Sequence, residues 1–239
     1  TTSYIWSTQA NGWDQAGHLG VCCKRFNIMR TFAHKYLEIL NGEFKGLNLT
    51  RITSLDEFYL KQIIDSIEPL NKCVNFKKSL ESDLPLIDIG FGGGFPLLPL
   101  AKLYPDKIFL GFEARKKKAL AVKLIAEKLD IKNVKTYHQR LEEVDFDIPA
   151  ILTFKAVADI DKLLPMICGK KIQRAYFYKG PRCDEKENIK AKIAGWKKFS
   201  DQEYIVKKTN GRRVLGFKGV TVPRGTKLNK PLVKLSKLI

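Results

Sequence analysis

The sequence predicts an α/β protein in which a helical extension precedes a mostly parallel sheet. From Pro85 onward, short apolar runs alternate with stretches of helical periodicity, which is the pattern of strand–helix–strand units. Before that point the stretches from Met29 and from about Ser54 have helical periodicity, whereas residues 1–20 carry little that can be interpreted. A chain of 239 residues is long enough for one large α/β domain with an appendage. We therefore expect a helical extension over 1–80, a main domain over 81–220 and a tail over 221–239.

The extension begins with an amphipathic helix. Apolar residues between Met29 and Leu40 recur at the i, i+3, i+4, i+7 spacing of one helical face. This helix is predicted to stop near Gly42. A second helix is predicted from about Ser54, because Glu57 lies three residues further on, at capping-box spacing.

The elements of the main domain follow from alternating apolar runs and turn signals. The first buried strand is predicted at Leu86–Ile89, and a helix follows it over 95–103. A second helix carries Val122, Ile125 and Leu129 on one face. The remaining strands are predicted at 108–112, 134–137, 150–154, 174–178 and, as a closing antiparallel pair, 203–207 and 214–217.

A glycine-rich turn lies where the first strand gives way to a helix. Residues 88–96 read DIGFGGGFP, and glycines at 90, 92 and 94 remove the Cβ atoms that would keep a ligand away from the backbone. The following helix offers exposed N–H donors. This turn predicts a nucleotide-cofactor loop, with an ordinary tight turn as the alternative. Phe95 stands where the dinucleotide fingerprint requires glycine, which weakens an NAD interpretation.

An acidic residue ends the second predicted strand. Glu113 lies 23 residues after Gly90, where a carboxylate can accept hydrogen bonds from both hydroxyls of a ribose. The alternative is a surface glutamate beside the basic run that starts with Arg115 and Lys116. That run opens a helix, where positive charge opposes the helix dipole, so contact with RNA phosphate is one hypothesis and a solvated face is the other.

The charge of the chain is strongly positive. Lys and Arg number 43 and Asp and Glu 25, a net charge of +18 that attracts polyanions. A merely basic protein without a nucleic-acid partner is the alternative. From Arg212 and Arg213 to the last residue there are eight basic residues and no acid, and Pro223 and Pro231 argue against regular structure. A flexible basic arm that reaches RNA phosphates and a solvated tail are the two interpretations.

Cysteine usage and hydropathy favour a cytoplasmic protein without a metal site. The five cysteines form no CxxC pair and no ligand cluster with histidine, and an odd count suits a reducing compartment. No run approaches the roughly 20 apolar residues that span a bilayer, so we expect no membrane partner.

Several sequence blocks together resemble one enzyme family. The string DIGFGGGFPLLPLAKLYP, with LNLT at 47–50, IIDS at 63–66, RLEE at 140–143, KAVA at 155–158 and YKG at 178–180, is similar to the RsmG (GidB) family of 16S rRNA guanine-N7 methyltransferases. The order and spacing hold from about Phe32 to Lys218. The resemblance implies a class I methyltransferase fold, which is Rossmann-like with a seven-stranded, mostly parallel sheet. It also implies S-adenosylmethionine as cofactor and 16S rRNA of the small ribosomal subunit as substrate.

The resemblance also implies roles for individual residues. Gly90 and Phe95 match positions that touch the cofactor, Gly92 and Gly94 shape the same turn, and Glu113 holds the ribose.

Four further roles come from the same resemblance and from position in the fold. Leu141 and Glu142 match the pair beside the adenine, although an acidic pair at a helix start is the plainer interpretation. Lys155 stands where the family usually has arginine, which keeps the charge but loses the planar two-pronged guanidinium. Lys179, at the end of a predicted strand, is a candidate for contact with the target nucleotide or its phosphate.

The expected chemistry explains why no catalytic residue is assigned. Guanine N7 has a lone pair and no proton to lose, so its attack on a sulfonium methyl group needs no general base, and positioning dominates. Two other functions stay open. One is an RNA-binding protein without catalysis, suggested by Lys155 and the basic tail. The other is an NAD-dependent oxidoreductase, suggested by the glycine turn and Glu113 alone.

Overall fold

Seven strands form one sheet, and two short strands form a second. The computed structural model describes residues 15–169, 171–180, 195–207, 209, 211–220 and 232–239. The strands in these ranges are β1 (Leu86–Ile89), β2 (Phe109–Glu113), β3 (Val134–His138), β4 (Val144–Asp145), β5 (Ile151–Lys155), β6 (Ile172–Lys179), β7 (Trp196–Tyr204), β8 (Arg212–Val220) and β9 (Val233–Lys234).

The sheet order is β3-β2-β1-β5-β6-β8-β7. The first five strands in this order are parallel, and β8 runs antiparallel to both β6 and β7. β4 and β9 pair in parallel outside this sheet. The prediction of a seven-stranded, mostly parallel sheet is confirmed. The order reverses between β1 and β5, and open α/β sheets bind ligands at the carboxyl ends of the strands beside such a reversal.

Helices cover both faces of the sheet. The long first helix confirms the predicted amphipathic face, since Met29, Tyr36 and Leu40 are all buried. A π-helical stretch, Tyr59–Ile64, interrupts the second helical segment. The helices are α1 (Gln15–Asn41), α2 (Leu55–Phe58), α3 (Asp65–Ile67), α4 (Pro69–Lys72), α5 (Val74–Leu80), α6 (Leu97–Leu103), α7 (Lys116–Lys128) and α8 (Ile160–Leu163).

The capping box predicted at the start of α2 is wrong. Ser54 is the N-cap residue, but its side chain makes no capping hydrogen bond. Glu57 instead forms an ion pair with Lys61, one helical turn further on. The backbone carbonyl of Ser54 accepts the hydrogen bond from Phe58 N at 2.9 Å, so the helix starts without the side-chain cap.

Two hydrophobic clusters lie on the two faces of the sheet. Alternating strand residues separate them: Leu86 belongs to one cluster and Ile87 to the other. The first cluster contains the buried residues of α1 to α7, so the described part of the extension shares its core with the sheet. The second contains α8 and the C-terminal Leu235. Residues of the extension, among them Gln62 and Asp65, also lie beside the carboxyl ends of β1 and β5.

Three expectations about the C-terminal third are corrected. β7 lies at Trp196–Tyr204 rather than 203–207, because a register shift between Lys198 and Ser200 breaks the alternation by which sequence patterns are recognised. Arg212 and Arg213 belong to β8 and not to a flexible arm. Residues 221–231 of the expected tail lie outside the described part of the chain. In the rest of it, β9 pairs with β4 and Leu235 is buried.

Candidate functional site

The glycine-rich loop lies between β1 and α6 and contains three left-handed residues. Gly90, Gly92 and Gly94 have φ values of 67°, 57° and 89°. A Cβ at Gly90 would lie 2.9 Å from the Val157 side chain, and one at Gly94 would meet the Tyr36 hydroxyl. At Gly92 the nearest atom would be 3.9 Å away. The idea that all three glycines clear space for a ligand is thus corrected, because two of them make room for other parts of the protein.

Glu113 is buried beside this loop. Its Oε2 accepts a hydrogen bond from Gly92 N at 3.1 Å, and its Oε1 accepts one from Arg115 N at 2.9 Å. The surface-glutamate interpretation is therefore wrong. Each carboxylate oxygen has two lone pairs, so both keep acceptor capacity for ligand hydroxyls.

The segment after β3 lies next to Glu113. Gln139 N donates to the backbone oxygen of Glu113 at 3.2 Å, and a 3-10 helix, Leu141–Glu143, follows. Leu141 is buried, whereas Glu142 is partly exposed and lies 3.8 Å from the Arg140 guanidinium. The structure thus brings the glycine loop, Glu113 and the residues 141 and 142 to one edge of the sheet.

A cavity of about 640 Å³ opens on the other side of the loop. Its volume is in the range of small-ligand sites. The cavity lies at the carboxyl ends of β1, β5 and β6, which form one wall, and the helical extension forms another. Polar and charged residues that line it are Lys61, Gln62, Asp65, Lys155, Tyr178, Lys179, Tyr204 and Arg212.

One buried carboxylate, that of Asp65, lies between two of the four cations of this cavity. Asp65 Oδ2 lies 3.1 Å from Lys155 Nζ, and Asp65 Oδ1 lies 3.2 Å from Arg212 Nε. The Tyr204 hydroxyl donates to Asp65 Oδ1 at 3.3 Å. Lys155 Nζ also donates to Gln62 Oε1 at 3.3 Å. Two cations and one anion leave a positive charge at the cavity wall.

The chain takes a strained course directly after Lys155. Ala156 has a φ of 56°, a left-handed value that costs a non-glycine residue on the order of 1 kcal/mol. The next turn carries the Ala158 carbonyl, which accepts a hydrogen bond from Lys179 Nζ at 3.1 Å. This turn follows Lys155 directly and binds Lys179, so both predicted site lysines lie at one wall of the cavity.

The remaining predicted residues have different surroundings. Phe95 lines the cavity, but its ring is mostly covered by stacking on Tyr36 at 5.1 Å between centroids. Arg115 and Lys116 are exposed at the start of α7, outside the cavity lining. Arg213 pairs with Asp201, with Nη2 and Oδ2 2.7 Å apart.

Asp88 is a buried acid that sequence reasoning did not single out. Its carboxylate accepts hydrogen bonds from Thr153 Oγ1 at 2.9 Å and from Leu97 N at 3.0 Å, which joins β1, β5 and the start of α6. Burial raises the pKa of Asp88 to about 7, although these hydrogen bonds and the charge of Lys155 oppose the rise.

Sequence reasoning also missed Asp65, Gln62 and Tyr204. The one available signal was the IIDS block, which places a carboxylate among apolar helix residues. In the described ranges, no helix is long and apolar enough to cross a membrane. No group of three or more candidate metal ligands occurs among the same residues.

The fold and site together define a class of protein. The strand order, the glycine loop after β1 and the buried acid at the end of β2 are those of a class I methyltransferase, a Rossmann-like α/β fold. Magnesium protoporphyrin IX methyltransferase from Synechocystis, solved with bound S-adenosylmethionine, has a similar structure: TM-score 0.55, 12% identity, 79% of this chain and 97% of that one. Ribosomal protein L11 methylase from Lactobacillus delbrueckii gives a TM-score of 0.50 at 14% identity, over 62% and 76% of the two chains.

The sequence comparison identifies the family. Residues 29–215 match the GidB family model, described as rRNA small subunit methyltransferase G, and the chain belongs to this family. Ribosomal RNA small subunit methyltransferase G 2 of Syntrophobacter fumaroxidans is 30% identical over 80% of this chain. Ribosomal RNA small subunit methyltransferase G of Lactobacillus helveticus is 33% identical over 75% of this chain and 78% of its own length. The match spans only 37% of the Syntrophobacter protein and, for a Streptococcus pneumoniae relative, 44%.

Proposed function

We propose that the chain transfers a methyl group from S-adenosylmethionine to N7 of a guanine in 16S rRNA of the small ribosomal subunit. One arrangement carries this proposal. The glycine loop, with the buried Glu113 beside it, adjoins a cavity in whose wall Asp65 pairs with two cations, Lys155 and Arg212. The family relationship supports the same function. The relatives are named as methyltransferases of small-subunit rRNA.

The loop side of the site fits the cofactor. The Glu113 carboxylate is fixed beside Gly92 and can accept hydrogen bonds from ribose hydroxyls. Leu141 and Glu142 lie next to it, where a backbone amide and a carboxylate can read an adenine edge. When bound, the cofactor supplies an activated methyl group on a sulfonium.

The cavity side fits an RNA nucleotide. Lys61, Lys155, Lys179 and Arg212 line it, and Asp65 is the one acid among the described lining residues. Cationic side chains bind phosphate oxygens, and they also donate hydrogen bonds to guanine O6, which lies beside N7. Asp65 holds two of these cations in fixed positions, so less side-chain entropy is lost when RNA binds.

Methyl transfer at N7 requires the protein to orient the two reactants and does not require proton transfer. The N7 lone pair forms the new N–C bond while the C–S bond breaks, and no proton leaves the guanine. Holding two reactants in line contributes up to roughly 7 to 11 kcal/mol to lowering a barrier. Lys155 and Arg212 orient the target, and Glu113 and the glycine loop fix the other reactant. The reaction takes place in the cytoplasm, where small subunits are assembled.

A second candidate is an RNA-binding protein that has lost catalysis. It is favoured by Lys155, which lacks the guanidinium that the family usually has at this position. Cofactor titration separates the two candidates, because a binding protein without catalysis would retain RNA affinity and show no affinity for S-adenosylmethionine.

The test is methyl transfer from labelled S-adenosylmethionine to small-subunit particles that lack the modification, followed by mapping of the labelled base. We expect label on a single guanine N7. Absence of label from every small-subunit substrate, naked or assembled, would overturn the proposal. Label at another position of 16S rRNA would keep the enzyme class and refute the N7 assignment.

A further inference from the structure

Helix α1 reaches the glycine loop through one tyrosine. The Tyr36 hydroxyl donates a hydrogen bond to the backbone carbonyl of Gly93. Tyr36 is fully buried, and its ring stacks on Phe95. Phe95 directly precedes Pro96, the N-cap residue of α6. Burial raises the pKa of the Tyr36 hydroxyl, so it remains a donor throughout the physiological pH range.

A second part of the extension closes on the same loop. A Cβ at Gly93 would lie 2.5 Å from the backbone oxygen of Leu49, in the segment between α1 and α2. A Cβ at Gly94 would meet the Tyr36 hydroxyl itself. Three consecutive loop residues, 93 to 95, are therefore fitted against the extension, and glycine at 93 and 94 is required by that fit.

These contacts fix a peptide unit beside the candidate ribose site. The Gly93 carbonyl is bound by Tyr36, and the N–H of the same peptide unit, at Gly94, donates to Phe91 O at 2.8 Å. The preceding residue, Gly92, is bound through its N–H by Glu113. The loop is thus held between β2 on one side and α1 on the other, at adjacent residues.

We propose that Tyr36 is a positioning residue of the cofactor site, through which α1 sets the conformation of the glycine loop and so the affinity for the cofactor. The identity of the ligand rests on the function proposed above, whereas the positioning of the loop does not. Tyr36 is fully buried beneath the loop and acts through Gly93.

The test compares Tyr36→Phe with Tyr176→Phe as a matched control. Tyr176 is also fully buried and donates to a backbone carbonyl, that of Asn75 at 2.9 Å, and its hydroxyl lies 2.7 Å from that of Ser79 as well. It packs on Phe76 and Phe199 rather than on the loop, so its loss costs stability at least as much without touching residues 90–95. Both variants lose one buried hydroxyl, so a general loss of stability affects both. The measurements are hydrogen exchange of loop amides 90–95 without ligand, and calorimetric titration with S-adenosylmethionine.

We expect loop exchange to become faster in Tyr36→Phe alone and its Kd for S-adenosylmethionine to rise about five- to tenfold, with kcat at saturating cofactor retained. Unchanged loop exchange in Tyr36→Phe would overturn the proposal. So would faster loop exchange with an unchanged Kd, or equal changes in the control. If the wild-type protein binds no S-adenosylmethionine, the proposed function fails, and the exchange data still decide whether Tyr36 positions the loop.

Discussion

At the scale of single residues, Asp65 forms ion pairs with two cations of the cavity wall, although its position in the sequence does not indicate this role. Asp65 comes from the helical extension, yet it binds Lys155 from β5 and Arg212 from β8. Removing one partner of a buried ion pair is costly because the other charge stays buried without compensation. The two cations of the cavity wall therefore depend on Asp65 for both stability and position.

Replacing Asp65 tests this dependence. We expect Asp65→Asn to lower the free energy of unfolding by about 2 to 4 kcal/mol in urea titrations, because two cations lose their counter-charge. Asp201→Asn is the control: its carboxylate pairs with Arg213 and Lys198 in a more exposed site, so we expect a loss of about 1 kcal/mol or less. Equal losses in the two variants would contradict the central role of Asp65.

Asp88 gives a pH-dependent prediction. Its pKa is raised in the folded protein to about 7, from 3.8, so the folded state binds more protons than the unfolded state between these values. Stability then falls as pH rises through this window, by about 1.4 kcal/mol per pH unit at most. In Asp88→Asn this contribution is absent.

Urea unfolding at pH 5 and pH 8 measures that contribution. We expect the wild-type protein to lose on the order of 2 kcal/mol more than Asp88→Asn between the two pH values. The same pH dependence in both proteins would show that Asp88 does not titrate in this range.

At the scale of elements, the C-terminal segment has a structural role that its composition conceals. Leu235 is fully buried in the second core cluster, and Ser236 donates to Asp147 through both its backbone N, at 2.9 Å, and its hydroxyl. β9 pairs with β4, directly after the 3-10 helix Leu141–Glu143. The segment 233–236 therefore packs on and pairs with the segment 144–147, which follows the residues beside Glu113.

Truncating one side chain tests this packing. We expect Leu235→Ala to lower the free energy of unfolding by about 2 to 4 kcal/mol, since it removes buried methyl groups and leaves a cavity. Ile239→Ala is the control, because Ile239 is 36% exposed and should cost about 1 kcal/mol or less. A negligible effect of both changes would mean that the segment is not packed in solution.

At the scale of the whole molecule, the chain has a net charge of +18, and the fold brings several of its basic residues to the cavity. Four cationic side chains line the cavity, one each from the π-helical stretch Tyr59–Ile64, β5, β6 and β8: Lys61, Lys155, Lys179 and Arg212. Charges that are far apart in sequence thus line one cavity, which we propose binds an anionic polymer.

Salt dependence tests this surface. Four phosphate contacts predict that the logarithm of the association constant for single-stranded RNA falls with the logarithm of salt concentration at a slope of about −3 or steeper. Filter-binding titrations at salt concentrations between about 50 and 200 mM measure this slope. Lys116 is exposed outside the cavity lining and is tested separately: we expect Lys116→Ala to make the slope shallower by about 0.7, as loss of one phosphate contact would. A slope near zero in the wild-type protein would contradict RNA binding through the cavity.

Local patterns were enough to predict much of the fold. The strand at Leu86–Ile89, the glycine loop and the acid at the end of β2 follow from neighbours in sequence, because strand and turn signals are local. The alternation of strands and helices predicted an α/β fold with a mostly parallel sheet, whereas the strand order and its reversal are seen only in the structure. β7 was misplaced because its bulge interrupts the period of two that marks a strand.

The tertiary structure alone decided how the site is assembled. Asp65 meets Lys155 and Arg212, and Tyr36 meets Gly93, across separations that no local pattern records. Each of these residues has an ordinary local environment in the sequence: an acid or a tyrosine on a helix, or an arginine in a basic stretch. The sequence by itself determined the glycine loop and the strands that flank it, because strand and turn signals are local. Which distant side chains hold that loop and line the cavity was decided by packing, because burial and charge pairing depend on neighbours that only the folded chain brings together.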